Sequence, residues 1–171
     1  MSKLFSAVCI AVTTALAAPV SATESDIHLI STQQAPEISS ITRTSAAFEL
    51  NGSTIFIDPV GSQAQYRQFG RPDIVVLTSA NADHLSIDTM IGMLRRDTVV
   101  LAPQSVINQL PLMISNNVIT PFATGSTQRV DGITFTALPT TANRPRGTVS
   151  HNRQRGEIGV VVEANGKSIY F

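Results

Sequence analysis

The sequence predicts an α/β fold, and three observations carry that prediction. A continuous apolar run at residues 74–77 is followed by a polar turn and then by apolar residues at helical spacing. Two Asn-Gly dipeptides, at positions 51–52 and 165–166, are each flanked by β-type runs. Of the 171 residues 43% are hydrophobic and 14% are charged, which is enough apolar material for one domain with a packed core.

The first 22 residues are typical of a secretory signal peptide. Lys3 supplies a positive charge, residues 4–18 are mostly apolar, and Val20-Ser21-Ala22 fits a small-residue cleavage site. We therefore expect cleavage after Ala22 and a periplasmic or secreted product; an uncleaved anchor is the alternative, although the apolar stretch is short for a membrane span. Cys9, the only cysteine, lies in this segment, so we expect no disulfide or thiol ligand in the mature protein.

The mature chain is predicted to begin with a polar linker, residues 23–37, and to continue as one domain, residues 38–171. Runs at 41–50 and 53–57 flank Asn51-Gly52, which predicts a tight hairpin because both turn positions need positive φ. Asp58-Pro59 ends its second strand. Residues 60–71 contain two glycines and several glutamines and are predicted to form a loop.

The central stretch is predicted to be a buried strand, a loop and a helix. After the strand at 74–77, apolar side chains recur at i, i+3, i+4 and i+7, namely Ile87, Met90, Ile91 and Leu94. Ser86 precedes them as a candidate N-cap. Asp83 and His84 therefore lie on a strand-to-helix loop, at the edge where open α/β folds place their chemistry.

The second half is predicted to continue with shorter elements. They are a strand at 98–102, a helix at 104–110, a strand near 118–120, a hairpin around Asp131-Gly132, a polar surface loop at 140–157 and a closing hairpin around Asn165-Gly166. The closing hairpin repeats the turn and strand pattern of the first one. A single repeat of this kind fits either chance or an internal duplication.

Residues 78–84, Thr-Ser-Ala-Asn-Ala-Asp-His, resemble the metallo-β-lactamase superfamily signature T-H-x-H-x-D-H. Residues 47–59 are similar to that family's opening hairpin, which ends in I-D-P, and residues 97–103 are similar to the strand after the motif. Residues 159–171 are similar to the hairpin that leads into G-D-T. Within that superfamily, the chain looks most similar to the metal-dependent hydrolases related to sugar-lactone lactonases. The resemblance implies an αββα sandwich with mixed β-sheets and flanking helices.

The chain departs from this pattern at the metal positions. Ser79 and Asn81 stand where the signature has two histidines, whereas Asp83 and His84 match it. Phe171 precedes any G-D-T. The resemblance therefore implies an incomplete second half with exposed apolar faces, and the expectation is a marginally stable chain, a homo-oligomer, or an incomplete fragment of a longer hydrolase.

Site residues follow from the resemblance by position. Asp83 would be catalytic and would share the second metal site with His84. His151, in the loop before the penultimate strand, would be the third histidine of the first metal site, and Asp58 and Arg43 would line the site. Catalytic zinc normally takes three protein ligands, and neutral serine and asparagine oxygens are poor zinc ligands. Two readings stay open: zinc or another divalent metal held weakly by Asp83, His84 and His151, or no metal and a structural role for Asp83 and His84.

Three functional hypotheses follow. The first is an exported hydrolase that uses a metal to cleave a small ester, lactone or phosphodiester. The second is a non-catalytic periplasmic binding or interaction protein (a pseudoenzyme) on the same scaffold. The third is an incomplete piece of a longer hydrolase. A formal net charge of zero gives no electrostatic case for a nucleic-acid partner. We expect a small-molecule substrate or ligand and no membrane span after signal cleavage.

Overall fold

The computed structural model describes residues 36–115, 117–140 and 156–171. Its first sheet has six strands in chain order: β1 (Ser39–Ser40), β2 (Ala46–Leu50), β3 (Ser53–Ile57), β4 (Ile74–Val76), β5 (Val99–Ala102) and β6 (Val118–Pro121). Pairing is antiparallel from β1 to β3 and parallel from β3 to β6, so the sheet is mixed. The predicted strands at 74–77, 98–102 and 118–120 are confirmed in type and place.

The second sheet has four antiparallel strands in the order β10-β9-β8-β7. They are β7 (Thr127–Val130), β8 (Ile133–Pro139), β9 (Ile158–Ala164) and β10 (Lys167–Tyr170). One buried cluster joins inward-facing side chains of both sheets, including Phe48 and Ile55 of the first and Phe135 and Val162 of the second. The rings of Phe48 and Phe171 stack with their centroids 5.4 Å apart. The two sheets thus share one core, as packed sheets with alternating inward residues do.

Helices cover the outer face of the first sheet. They are a 3-10 helix (Gln63–Phe69), α1 (Ile87–Ile91), α2 (Gln104–Ile107) and α3 (Leu112–Ser115). A second buried cluster packs Phe56, Val75 and Leu77 of the sheet against Tyr66, Met90 and Val106 of the helices. Alternate residues of β3 and β4 therefore point into two different apolar layers, which explains why β4 and residues 55–57 of β3 are continuously apolar.

The three predicted hairpin turns are confirmed by their backbone angles. The first turn residues, Asn51, Asp131 and Asn165, have φ of 53°, 51° and 52°, and the glycines that follow them are also at positive φ. This is the geometry of a two-residue hairpin turn whose twist matches that of the strands.

Several element boundaries differ from prediction. Residues 60–71 are not all loop, because Ser62 and Gln65 form a capping box that starts the 3-10 helix, and Tyr66 is buried. The helix after the motif is shorter than predicted: Ser86 caps it, but it ends at Ile91, with Gly92 at its C-cap. Helix α2 also stops early, at Ile107, and α3 was not predicted.

The outer face of the second sheet is less apolar than the resemblance implied. The residues that alternate with its core positions include Thr134, Thr136, Glu163 and Ser168, and Tyr170 is 64% exposed. Polar side chains on a solvent-facing sheet surface are ordinary for an antiparallel sheet. The expectation of an exposed apolar face is therefore wrong for most of this surface.

Two predictions fall outside the described residues. They concern residues 1–35, with the signal peptide and most of the linker, and residues 141–155, with His151. In the part of the chain that is described, no helix has the length and apolarity needed to cross a bilayer.

Candidate functional site

The motif loop, residues 77–86, and Asp58 meet at one edge of the first sheet. Asp58 directly follows β3, and the motif loop follows β4. Because β3 and β4 are parallel neighbours, with Ile57 opposite Val76, their carboxyl ends lie side by side. The predicted position of the site at the carboxyl ends of buried strands is therefore what the fold provides.

Asp58 is the most buried charged residue of this edge, at 2% exposure. Its Oδ1 accepts a hydrogen bond from the Thr78 backbone N–H at 2.7 Å, and its Oδ2 accepts one from Thr78 Oγ1 at 2.5 Å. Its φ of 44° is uncommon outside glycine, although aspartate tolerates it better than most residues. Such a strained backbone persists only where the surroundings hold it.

Ser45 supplies part of that hold. Its buried Oγ donates to the Asp58 carbonyl oxygen at 2.6 Å and accepts from the Val60 backbone N–H at 3.2 Å. One hydroxyl therefore satisfies backbone groups on both sides of Pro59. Ser45, in the turn before β2, thus holds the backbone from which the Asp58 side chain projects.

His84 is oriented by Asp58. The imidazole Nδ1–H donates to Asp58 Oδ2 at 2.7 Å, which leaves Nε2 as the free ring nitrogen. Nε2 lies 3.8 Å from Oδ2 of Asp83. A histidine whose second nitrogen is held by a carboxylate has a fixed tautomer and ring orientation, as histidine ligands of metals do.

The Asp58–His84 pair retains its protons to higher pH than either isolated group would. The hydrogen bond to Asp58 raises the pKa of His84 above its ordinary value, against the opposing effect of burial. Burial raises the pKa of the Asp58 carboxyl, although the hydrogen bonds from His84 and Thr78 oppose that shift. Both directions favour a protonated pair in the folded protein.

Asp83 and Arg43 lie at the exposed mouth of the site. The Asp83 side chain is 57% exposed, and its backbone carbonyl accepts a hydrogen bond from Thr44 Oγ1. Arg43 is the exposed neighbour of Thr44 in the same turn, and the described residues give it no ion pair. The structure therefore places Arg43 next to Thr44, whose hydroxyl contacts Asp83, and the prediction that Arg43 lines the site stays a prediction.

Ser79 and Asn81 use their side chains within the scaffold. Ser79 is 3% exposed, and its Oγ accepts from the Asn81 backbone N–H at 3.1 Å. Asn81 Nδ2 donates to Glu157 Oε1 at 2.8 Å. Glu157 was not predicted, because no local sequence pattern links it to Asn81, 76 residues away.

The donor set can be tested against the metals that the resemblance implies. Among the residues that the structure describes, no group of three histidine, cysteine, aspartate or glutamate side chains could hold a metal ion. Ser79 and Asn81 do not fit a zinc site, because neutral oxygens are poor zinc ligands. Ser79 Oγ already accepts from the Asn81 backbone N–H, and the Asn81 amide is oriented by its Nδ2 bond to Glu157. His84 Nε2 and the Asp83 carboxylate do fit as two ligands, and the expected third, His151, lies outside the described residues.

Comparison with solved structures supports the fold. A protein described as a metal-dependent hydrolase from Parabacteroides distasonis matches with a TM-score of 0.64 at 18% identity, over 79% of this chain and 59% of that one. Igni18, a metallo hydrolase from Ignicoccus hospitalis, matches with a TM-score of 0.57 at 18% identity, over 79% and 59%. CmlA, a diiron β-hydroxylase from Streptomyces venezuelae, matches with a TM-score of 0.58 at 14% identity, over 80% and 29%.

These neighbours share a fold with the chain but not one chemistry, since a hydroxylase is among them. The chain spans about 59% of the length of the two hydrolases. No curated protein sequence matches it significantly.

The family model of the beta-lactamase superfamily domain matches residues 53–171, which is more than half of the chain and includes Asp58 and the motif loop. The chain therefore belongs to the beta-lactamase superfamily and has the metallo-β-lactamase-like α/β fold.

Proposed function

We propose that this protein is a metal-dependent hydrolase whose site holds a single, weakly bound divalent cation at Asp83 and His84. The observation that carries the proposal is the orientation of His84. Its Nδ1–H is tied to the buried Asp58 carboxylate, so that its Nε2 is the nitrogen left beside Asp83. This is the arrangement in which a carboxylate orients a histidine that binds a metal through its other ring nitrogen.

The chain's own residues would do three things at this site. Asp58 fixes the tautomer of His84 and supports the basicity of Nε2. Thr44 holds the Asp83 backbone, while the exposed Asp83 carboxylate can bind a cation or take up a proton. A bound divalent cation would supply Lewis acidity and acidify a water molecule. His151 is proposed as the third ligand, by its place in the family pattern.

We propose weak binding because two strong donors are fewer than the usual three. We propose an ester, lactone or phosphodiester as substrate, because these are small molecules that a metal-activated water can attack.

The mature protein is proposed to act outside the cytoplasm, in the periplasm or as a secreted protein. N-terminal sequencing of the mature product tests that proposal, which expects Thr23 as the first residue and is contradicted by an N-terminus at Met1.

Metal content and turnover test the proposed activity. Full-length protein is brought to dialysis equilibrium with a fixed free concentration of Zn²⁺ or Mn²⁺, and it is assayed for metal bound in excess of the buffer and for hydrolysis of p-nitrophenyl esters and bis-p-nitrophenyl phosphate. We expect about one equivalent of metal and activity that chelator removes. His84→Ala is expected to abolish both, whereas His28→Ala, which removes a histidine far from the motif in sequence, leaves both unchanged. Less than about a tenth of an equivalent in the wild type would exclude the proposal.

A specific observation favours a second candidate, a non-catalytic binding protein on the same scaffold. Ser79 and Asn81, at the two positions where the family motif has histidines, are both committed to hydrogen bonds within the scaffold. A scaffold that keeps its shape without those ligands can bind a small molecule without turning it over. Turnover that His84→Ala abolishes would rule out this candidate.

A further inference from the structure

Two hydrogen bonds join the motif loop to the adjacent residues Glu157 and Ile158, at the start of β9 in the second sheet. Asn81 Nδ2 donates to Glu157 Oε1 at 2.8 Å, and the Ile158 backbone N–H donates to the Thr78 carbonyl oxygen at 3.0 Å. Thr78 and Asn81 follow a strand of the first sheet, whereas Glu157 immediately precedes β9 of the second. These contacts therefore connect strand ends from different sheets at the site itself.

The family pattern assigns that connection to a metal ion. Two ligands of the first metal site would come from positions 79 and 81, and the third from the loop before β9. An ion held in this way joins the motif loop to the segment that enters the second sheet. In this chain the first-site donors do not fit a metal, yet the same two segments are in direct contact.

We infer that the Asn81–Glu157 hydrogen bond replaces the first-site metal as the link between the motif loop and β9. Glu157 is then a positioning residue: it acts through Asn81 and holds the loop that carries Asp83 and His84. The inference is separate from the proposed activity, because it concerns the positions that the single cation does not use.

In the Asn81–Glu157 hydrogen bond only Asn81 can be the donor. A carboxylate accepts and cannot donate, so the amide of Asn81 must present its nitrogen to Glu157. Rotating the amide to offer its oxygen to a cation would place that oxygen against the carboxylate. Glu157 thus locks Asn81 in an orientation that does not bind metal. The bond is charge-assisted and partly buried, which makes it stronger than a neutral surface bond.

Amide hydrogen exchange of the full chain tests the inference. The probe is the Ile158 N–H, which depends on the contact with Thr78; the internal reference is the Phe171 N–H, which donates to the Val160 carbonyl at 2.9 Å in the same sheet. Asn81→Ala and Glu157→Ala are expected to speed exchange at Ile158 about tenfold while Phe171 stays unchanged. Glu157→Gln keeps an oxygen acceptor and is expected to stay within about threefold of the wild type.

Two controls make the result decisive. Glu163→Ala removes a carboxylate from the same strand, where Ser168 Oγ donates to it at 2.9 Å, and is expected to leave Ile158 unchanged. Excess chelator is expected to change exchange at Ile158 by less than about twofold in His84→Ala, which lacks a ligand of the proposed cation, so that any remaining effect reports a metal at the first-site positions. Asn81→Asp sets two carboxylates against each other on an unaltered backbone, and it serves as the loss-of-contact variant if Asn81→Ala does not fold.

The inference is overturned if chelator speeds exchange at Ile158 in His84→Ala as much as Glu157→Ala does in the wild type, because a metal at the first-site positions would then be the link. It is also overturned if Glu157→Ala and Glu163→Ala have equal effects, or if Glu157→Gln fails to restore protection. None of these results depends on hydrolysis, so the inference can fail while the proposed function stands, and the reverse also holds.

Discussion

The two halves of the motif loop differ in what holds them. His84 is held from behind by a buried carboxylate, and its outer nitrogen is left free. Ser79 and Asn81 instead make side-chain hydrogen bonds within the scaffold, Ser79 to the Asn81 backbone and Asn81 to Glu157. The first half of the motif is therefore tied into the scaffold, whereas the second half leaves one ring nitrogen of His84 free. Groups that support a ligand and the ligands themselves can change independently.

The comparison is tested most strongly by removing Asp58. Asp58→Ala leaves the Thr78 N–H and hydroxyl and the His84 Nδ1–H without their acceptor, and it places an alanine at a φ of 44°. We expect a loss of about 3–4 kcal/mol in the free energy of unfolding, measured by denaturant titration. Asp58→Asn tolerates the backbone angle and is expected to lose less. A loss below about 1 kcal/mol for Asp58→Ala would remove Asp58 as the organiser of the site.

Removing the Ser79 hydroxyl has a smaller expected effect. Ser79→Ala deletes the acceptor of the Asn81 N–H in a buried position, so we expect a loss of about 1 kcal/mol, read from the same unfolding curves. Metal binding by the Asp83–His84 half should not change, which a metal titration of the variant checks. A variant that lost metal binding together with stability would show that the two halves are not independent.

The pH dependence of stability sharpens the comparison further. The folded pKa of His84 is raised above its unfolded value near 6.5, so its contribution is fully present below that pH and is lost as pH rises through the folded pKa. The raised pKa of Asp58 acts in the same direction, from 3.8 upward. We expect metal-free protein to lose stability as pH rises above 6.5, and His84→Gln to flatten that dependence above 6.5. An unfolding series from pH 5 to 9 would contradict this if stability rose across the window.

The smallest expected effect concerns Arg43. Its guanidinium is exposed and makes no ion pair with the described residues, so Arg43→Gln should change the free energy of unfolding by less than about 0.5 kcal/mol. If Arg43 lines the site, the variant should instead weaken binding of an anionic ester more than that of a neutral ester with the same leaving group. Equal effects on both esters would remove Arg43 from the site.

Short-range patterns predicted much of the fold. Asn-Gly turns require positive φ at both positions, and apolar runs bounded by turn residues define buried strands, so the three hairpin turns and most strands were correct in type and place. The run predicted at 41–50 is a strand only from Ala46, and β1 was not predicted. Helix lengths were less predictable, because ending α1 beside Gly92 is a local event that the apolar spacing of Ile91 and Leu94 does not encode. The buried role of Tyr66 was missed for a similar reason, since it depends on a capping box in a segment rich in glutamine.

The sequence named some of the residues that the structure brings together at the candidate site. The motif gave Asp83 and His84, and the I-D-P hairpin gave Asp58, because each lies at a strand end that the resemblance fixes. Glu157 was not predicted, since its partner Asn81 is 76 residues away and no local spacing links them. Contacts between loops of different sheets depend on the finished packing, which a single sequence does not display.

The central claim is that His84, held by Asp58, offers one nitrogen to one cation. The most direct measurement is a Zn²⁺ titration of metal-free protein in which the ¹⁵N resonances of the His84 ring are followed by NMR. The account predicts that Nε2 shifts with a single binding event that saturates at about one equivalent, while Nδ1 stays protonated and bonded to Asp58. The account would be contradicted if neither ring nitrogen shifted at millimolar Zn²⁺. It would also be contradicted if Zn²⁺ bound Nδ1 and displaced its proton.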